Sequence, residues 1–371
     1  MFHSLFKTGA VFVALSACLS LSNAVVANEQ QTLHLYNWSD YIAPDTVANF
    51  EKETGIKVTY DVYDSNEILE TKLFAGNSGY DLVFPTSRPF AGRHIKAGIY
   101  QPLDKSLLTN LANIDPIILN SLVDLDTNNT HLVPYLWGTT GVGINVKKVR
   151  EILGNDMPLD TWQLLFNPEI VSKLASCGVS LMDDPTEVFT AVRIFNGNDP
   201  SDFSKKATER AAETIKAIRP HIKYFHSSQY INDLANGDSC VAHGYSGDVL
   251  QAKARAEEAN NGVEIIYLAP AEGAVVWTDV MAIPKDAKNV AAAHQFINFM
   301  MRPKEIAQVT NYVSYANANN QADSFVDPKI TADPGIYPPK ATLEKLVILH
   351  SPSDKESRTL NRLWTRLKTN M

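Results

Sequence analysis

The sequence predicts an α/β fold built on a doubly wound sheet. Two observations carry that reading. Strand-like and helix-like stretches alternate from Leu33 to Gly98, the pattern of a sheet with helices on both faces. One of those strands, Tyr80 to Pro85, is nearly all apolar, as a parallel strand covered on both sides should be.

The elements follow in order. Leu33, Leu35 and Asn37 alternate with His34, Tyr36 and Trp38, the period of a strand. Pro44 suits a first helical turn, and Val47 and Phe50 continue the helix until Gly55 stops it. Ile56 to Tyr63 is a second strand. Glu67 to Ala75 is a helix ended by Gly76, and His94 to Ala97 belongs to another, stopped at Gly98. On such sheets ligands sit beyond the carboxyl ends of strands. The loops Trp38 to Tyr41 and Pro85 to Arg88 fall there.

Pro134 to Val146 reads as an extended segment whose glycines let it pass between lobes. A second αβ region runs from Thr161 to about Ala254. Arg210 to Ile218 and Asp248 to Asn260 look helical, Val263 to Leu268 and Gly273 to Ile283 look like strands. Asn289 to Met301 is an amphipathic helix halted at Pro303, and helices with loops complete the chain.

The 371 residues suffice for two domains. Lys and Arg number 33 against 41 Asp and Glu, a net charge of −8. An acidic chain of this kind argues against nucleic acid as a partner. Residues 1–27 read as a signal peptide, with Lys7 as its basic residue and Thr8 to Ala17 as a short apolar region. Cleavage after Ala24 or Ala27 gives a soluble periplasmic protein, whereas Leu15 to Cys18 resembles a lipobox and leaves a lipid anchor through Cys18 open. Without the signal, Cys177 and Cys240 remain. In an exported chain such a pair invites a disulfide closing a loop of about 60 residues, worth about 4 kcal/mol in the chain-entropy account. Two buried free thiols are the other reading.

Four clusters carry acids beside rings or helix starts. Trp38, Ser39, Asp40 and Tyr41 join rings to a carboxylate, which suits an organic ammonium ion. They equally suit a packed strand end whose Ser39 or Asp40 caps the next helix. Trp277 and Asp279 are alternate residues of one strand and share a face. The acid there needs a partner, either a ligand cation or an Arg of the fold. Tyr245 and Asp248 stand in Gly244-Tyr245-Ser246-Gly247-Asp248, where Asp248 also reads as a helix cap. The pattern is no nucleophile elbow, since Asp248 occupies the place of the second glycine. Asp184-Pro185-Thr186-Glu187 reads as a capping box. There is no Walker A loop, no H-E-x-x-H, no zinc spacing and no dinucleotide glycine pattern. No cofactor is expected, and no nucleophile and base pair stands out.

Tyr36–Val47 (YNWSDYIAPDTV), Tyr224–Ala242 (YFHSSQYINDLANGDSCVA) and Ser314–Asn320 (SYANANN) resemble the periplasmic polyamine-binding proteins of bacterial ABC importers. The resemblance runs from about Leu33 to the C-terminus. It implies a type II periplasmic solute-binding protein fold of two α/β lobes that close on ligand. Lobe 1 is then residues 28–134 with 256–303, and lobe 2 is 135–255 with 304–371. It also implies a pocket of Trp38, Ser39, Asp40, Tyr41 and Thr86, continued by Glu187, Ser228, Tyr245, Asp248, Trp277, Asp279 and Tyr315. The Cys177–Cys240 pair resembles a family disulfide.

Several residues depart from the putrescine-receptor pattern. Tyr245 stands in place of a Trp, Trp277 in place of a Phe, and Thr86 in place of a Ser. Asp184 adds an acid. Trp277 and Asp184 lean toward the longer, triply charged spermidine, whereas larger rings that fill space and shorten the pocket favour putrescine, and both ligands stay open. The resemblance implies no catalysis, no cofactor, a monomer and a membrane ABC permease as partner. Competing expectations are a receptor for another small solute and an exported hydrolase.

Overall fold

The computed structural model describes residues 31–349 and 352–369. The segment expected to be a signal peptide, with Lys7 and Cys18, lies outside them. Among the described residues no helix is long and apolar enough to cross a membrane.

The chain opens with strand β1 (Thr32–Trp38), helix α1 (Thr46–Thr54), strand β2 (Lys57–Tyr63), helix α2 (Asn66–Phe74) and strand β3 (Leu82–Val83). Gly55 ends α1 in the left-handed conformation at φ 72° and donates to Glu51 O, as a helix-terminating glycine does. The first turn begins at Thr46 rather than Pro44. Its cap position is Asp45, so neither Ser39 nor Asp40 caps it. Strand β1 pairs in parallel with β2 and β3.

Strand β4 (Leu132–Asn145) is followed by strand β5 (Val179–Leu181), helix α3 (Pro185–Phe195), helix α4 (Lys205–Ile218) and strand β6 (Tyr224–Phe225). Next come helix α5 (Gln229–Asn236), strand β7 (Val241–Tyr245), helix α6 (Ser246–Ala259), strand β8 (Ile265–Leu268) and strand β9 (Ala274–Ala282). Helix α7 (Val290–Met300), helix α8 (Pro303–Val313), strand β10 (Ala316–Asn317), strand β11 (Leu346–Ile348) and helix α9 (Asp354–Thr369) complete the main elements, with further helices between them.

All the strands join one sheet, along the order β2-β1-β3-β9-β4-β7-β5-β6. Its flanks are parallel, but β9 runs antiparallel to both β3 and β4. The doubly wound expectation therefore holds for the flanks, not the middle. The extended segment expected at 134–146 is β4. Its first part pairs with β9 and its last part with β7 and β8. One 14-residue strand thus runs through both halves of the sheet.

Two large apolar clusters lie beside this strand. One gathers Leu33, Phe50, Leu82, Phe84, Tyr135 and Phe296. The other gathers Trp162, Phe166, Leu181, Phe189, Ile215 and Trp364. Each such side chain contributes roughly 1.5–3 kcal/mol on burial. Helix α8 adds Ile306, Val309 and Val313 to the first cluster, although residues 304–313 were expected with the second lobe. Its stripe of apolar residues continues the α7 surface across the Pro303 break.

Cys177 and Cys240 form a disulfide with a Cα–Cα distance of 5.6 Å, closing a sequence separation of 63. It joins the turn before β5 to the start of β7.

Candidate functional site

A cavity opens where strand ends meet. Trp38 closes β1 and Tyr245 closes β7, while Trp277 and Asp279 project from β9. The parallel strands β1 and β7 therefore present their carboxyl ends to it, as open α/β sheets do with ligands. The space is about 410 Å³ including its part open to solvent, at the low end of ligand pockets.

Its walls are mostly rings. Trp38 lies 4.8 Å from Tyr63 and 6.3 Å from Tyr245 between ring centres. Tyr245 meets Trp277 edge-on at 5.5 Å, Trp277 meets Tyr315 at 5.2 Å, and Tyr315 meets Tyr41 at 5.2 Å. Two hydrogen bonds fix the first pair, since Trp38 Nε1 and Tyr63 OH both donate to Phe84 O, at 2.8 and 2.6 Å. Two glycines make the close packing possible. A Cβ on Gly138 would stand 2.8 Å from the Trp277 ring, and one on Gly247 would stand 2.5 Å from the Tyr315 ring. Larger residues there would push the rings inward or away.

Two carboxylates end inside these walls. Asp248 accepts from Tyr230 OH and Tyr315 OH, both at 2.7 Å. It is not the cap of α6, whose cap position is Tyr245 and has no side-chain cap. Burial pushes the Asp248 carboxyl up to about 6, against the pull of those two hydroxyls. Asp279 is 4% exposed, and its Oδ1 has no hydrogen-bond partner. Burial pushes it up to about 7, with Thr86 and Tyr41 drawing it the other way. No Arg or Lys of the described residues pairs with it in a salt bridge, so the fold itself does not supply the cation that this acid calls for.

The polar rim is shared. Ser39 Oγ donates to Asp64 Oδ1 at 2.8 Å and Ser228 Oγ donates to the same oxygen at 3.2 Å. Thr86 pairs with Asp279 in an isolated antiparallel bridge, and its Oγ1 accepts from Asn66 Nδ2 at 3.0 Å.

Ten of the thirteen residues expected at the site line this cavity: Trp38, Ser39, Tyr41 and Thr86, then Ser228, Tyr245 and Asp248, then Trp277, Asp279 and Tyr315. Three do not. Asp40 is exposed and pairs with Arg255 at 2.8 Å, because its left-handed backbone, φ 54°, turns it out of the strand end. Asp184 is buried but turned to α3, where it accepts from Thr186 N at 2.8 Å and Glu187 N at 3.0 Å. Half the expected capping box is thus present. Its other half is not, since the buried Glu187 Oε2 has no partner. Burial and the nearby Asp184 charge push the Glu187 carboxyl well above its ordinary range.

Three wall residues were missed. Tyr63, Asp64 and Ser227 line the cavity. Asp64 directly follows the carboxyl end of β2, so the strand-end rule could have found it. Among the described residues no group of three or more His, Cys, Asp or Glu is placed to hold a metal ion.

Comparison with known proteins adds the following. The family described as bacterial extracellular solute-binding protein matches residues 45–338. Over 356 residues, 95% of each chain, the sequence is 51% identical to the putrescine-binding periplasmic protein PotF of Escherichia coli K12. It is 48% identical over 363 residues to the putrescine-binding periplasmic protein SpuD of Pseudomonas aeruginosa, covering 98% of this chain and 99% of that one. The crystal structure of a spermidine/putrescine ABC transporter substrate-binding protein from Streptococcus pneumoniae aligns with a TM-score of 0.72 at 27% identity, covering 91% of this chain and 99% of the other.

Proposed function

We propose that this chain, which belongs to the bacterial extracellular solute-binding protein family, captures a polyamine and delivers it unchanged to a membrane ABC permease. One observation carries the reading: the buried Asp279 carboxylate, whose Oδ1 has no hydrogen-bond partner, inside a wall of aromatic rings. A buried carboxylate without a partner is costly. An alkyl ammonium ion meets it with charge, while its methylenes lie against Trp38, Tyr245 and Trp277, whose faces attract cations. Anions are repelled by the same acids, and neutral sugars leave Asp279 unmet. The relatives named above, described as binding putrescine or spermidine, agree with this choice.

The remaining pieces follow from that role. The two sides of the cavity form two lobes, about 28–134 with 256–303 and 135–255 with 304–371, and hinge where β4 and β9 run between them. Helix α8 is the exception to these bounds: its packing puts it with the first lobe. Residues 1–27 direct export to the periplasm, with release after cleavage or retention through Cys18. The protein works as a monomer, and the ligand leaves as it entered.

Calorimetric titration with putrescine, cadaverine, spermidine and spermine tests the reading. Saturable binding of at least one is expected, with a melting temperature that rises as ligand is added. Absence of both effects at millimolar polyamine, or a larger thermal shift with an amino acid or sugar, refutes it. Recovery of intact polyamine after prolonged incubation is the expected result against hydrolysis.

A further inference from the structure

Beyond Asp279 lies a second group of acids, built from two helix starts. Helix α2 is capped by Ser65, which accepts from Ile68 N at 3.3 Å, and carries Glu67 in its first turn. Helix α3 is capped by Asp184 and carries Glu187 in its first turn. Glu67 and Thr186 line one cavity, with Arg93 and Arg358 also in its wall, so the two helix starts face each other. Both Glu67 Oε2 and Glu187 Oε2 are buried without a hydrogen-bond partner, and Glu187 as a whole is 3% exposed.

These acids continue the row that begins in the aromatic cavity. The Asp279 charge is felt by Glu187, which also feels Asp184 and Glu67. On the other side Asp279 feels Asp248. Arg93, whose charge Glu67 and Asp184 feel, gives its hydrogen bonds to Glu70 instead: its Nη2 and Nε reach Glu70 Oε2 at 2.7 and 3.2 Å, and it lies over the Phe90 ring. Asp184 turns its Oδ1 to α3, where that one oxygen accepts both backbone N–H groups. The extra acid that the sequence singled out as favouring a longer ligand therefore gives one oxygen to α3. The buried oxygens without a partner at this end belong to Glu67 and Glu187.

We propose that Glu67 is a specificity-determining residue for the captured polyamine. With Glu187 it forms an acidic corner, one acid from each facing helix start, that receives the far ammonium group of an extended triamine. A diamine is held by Asp248 and Asp279 and leaves the corner unfilled. The inference rests on the polyamine reading above.

Glu67→Gln tests it, because the amide keeps the side chain's size and removes its charge. Calorimetry on the full mature chain should show spermidine affinity lowered at least about tenfold, the scale of one ammonium left without its carboxylate, with putrescine affinity within about twofold of wild type. Asp279→Asn, as a control, should weaken both ligands. Equal losses for the two ligands in Glu67→Gln, no loss for either, or a wild-type protein that binds putrescine but no triamine would each overturn the assignment. A wild-type protein that binds no polyamine would instead overturn the function itself. A ligand-free melting temperature for Glu67→Gln at or above that of wild type is expected, since an unpaired buried carboxylate is removed. A drop of several degrees would mark Glu67 as structural and count against the proposal.

Discussion

Arg255 Nη2 donates to Asp40 Oδ1 at 2.8 Å, tying α6 to the loop that leaves β1. A second tie lies nearby, where Ser228 and Ser39 share Asp64 Oδ1. Both connect the two sides of the cavity without entering its aromatic interior. On the two-lobe reading proposed above, both are lost when the sides part.

Arg255→Ala should therefore act on ligand release more than on folding. The pair is partly exposed, at 35% and 42% of its side chains, and such pairs contribute about 0–1 kcal/mol to stability. Stopped-flow measurement should show polyamine dissociation accelerated severalfold with a nearly unchanged melting temperature. Unchanged dissociation would deny the tie any part in retention.

Asp279→Ala and Asp248→Ala should each weaken polyamine binding by about 2–5 kcal/mol, the usual loss when one member of a buried charge pair is removed. Their effects on the empty protein should differ. Asp279→Ala removes an unpartnered acid, whereas Asp248→Ala strips the acceptor from Tyr230 and Tyr315, at about 1–3 kcal/mol for each group left unmet. Denaturant melts should thus rank Asp248→Ala as the less stable variant. The reverse order would contradict this division of roles.

Capture should release protons. In the empty cavity burial holds Asp279 up to about 7 and Asp248 up to about 6, so both carboxyls are partly protonated at pH 6 to 7. An ammonium ligand favours the carboxylates, so affinity should rise from pH 5.5 to 7.5 and level off above. The sign for stability is opposite. Because these folded carboxyls are raised above the ordinary carboxylate range, their contribution to stability is complete at pH below about 4, falls as pH climbs from there, and is fully lost above about 6 to 7. Titrations at pH 6.5 in two buffers of different ionisation enthalpy should give different apparent heats. Identical heats would mean that no proton leaves.

Replacing both Cys177 and Cys240 by Ser should cost about 4 kcal/mol, from the entropy of the opened loop. Chemical denaturation of the double variant measures it. The bond lies at the start of β7, whereas Tyr245 lies at its end. The affinity of the folded fraction for polyamine should accordingly be preserved. A stability equal to wild type would show that the loop is constrained without it.

Much of the first half of the fold was legible because its elements are marked locally. Gly55 ends α1, the period-2 stretch from Leu33 marks β1, and the extended run from Pro134 is β4. What could not be read was direction. Nothing in the composition of Gly273 to Ile283 distinguishes a parallel strand from the antiparallel β9, because both are apolar when buried. Asp184 was legible as a cap from the Pro185 and Glu187 that follow it, yet its capping role was also what withdrew it from the cavity. Tyr63, Asp64 and Ser227 carried no pattern beyond their place at or near strand ends.

The sequence by itself determined which side chains were available: four aromatic–acid or helix-start clusters, one cysteine pair, and strand ends from which rings and carboxylates would project. Those are local properties, set by periodicity and by glycine, proline and capping residues. Only the tertiary structure decided which acids keep a free oxygen. Asp40 found Arg255, Asp184 found two backbone N–H groups, and Asp248 found two tyrosine hydroxyls, whereas Asp279, Glu187 and Glu67 each retained an oxygen with none. A carboxylate's partners come from segments distant in sequence, and burial raises the cost of lacking one. Its readiness for a cation is therefore a property of the packed site.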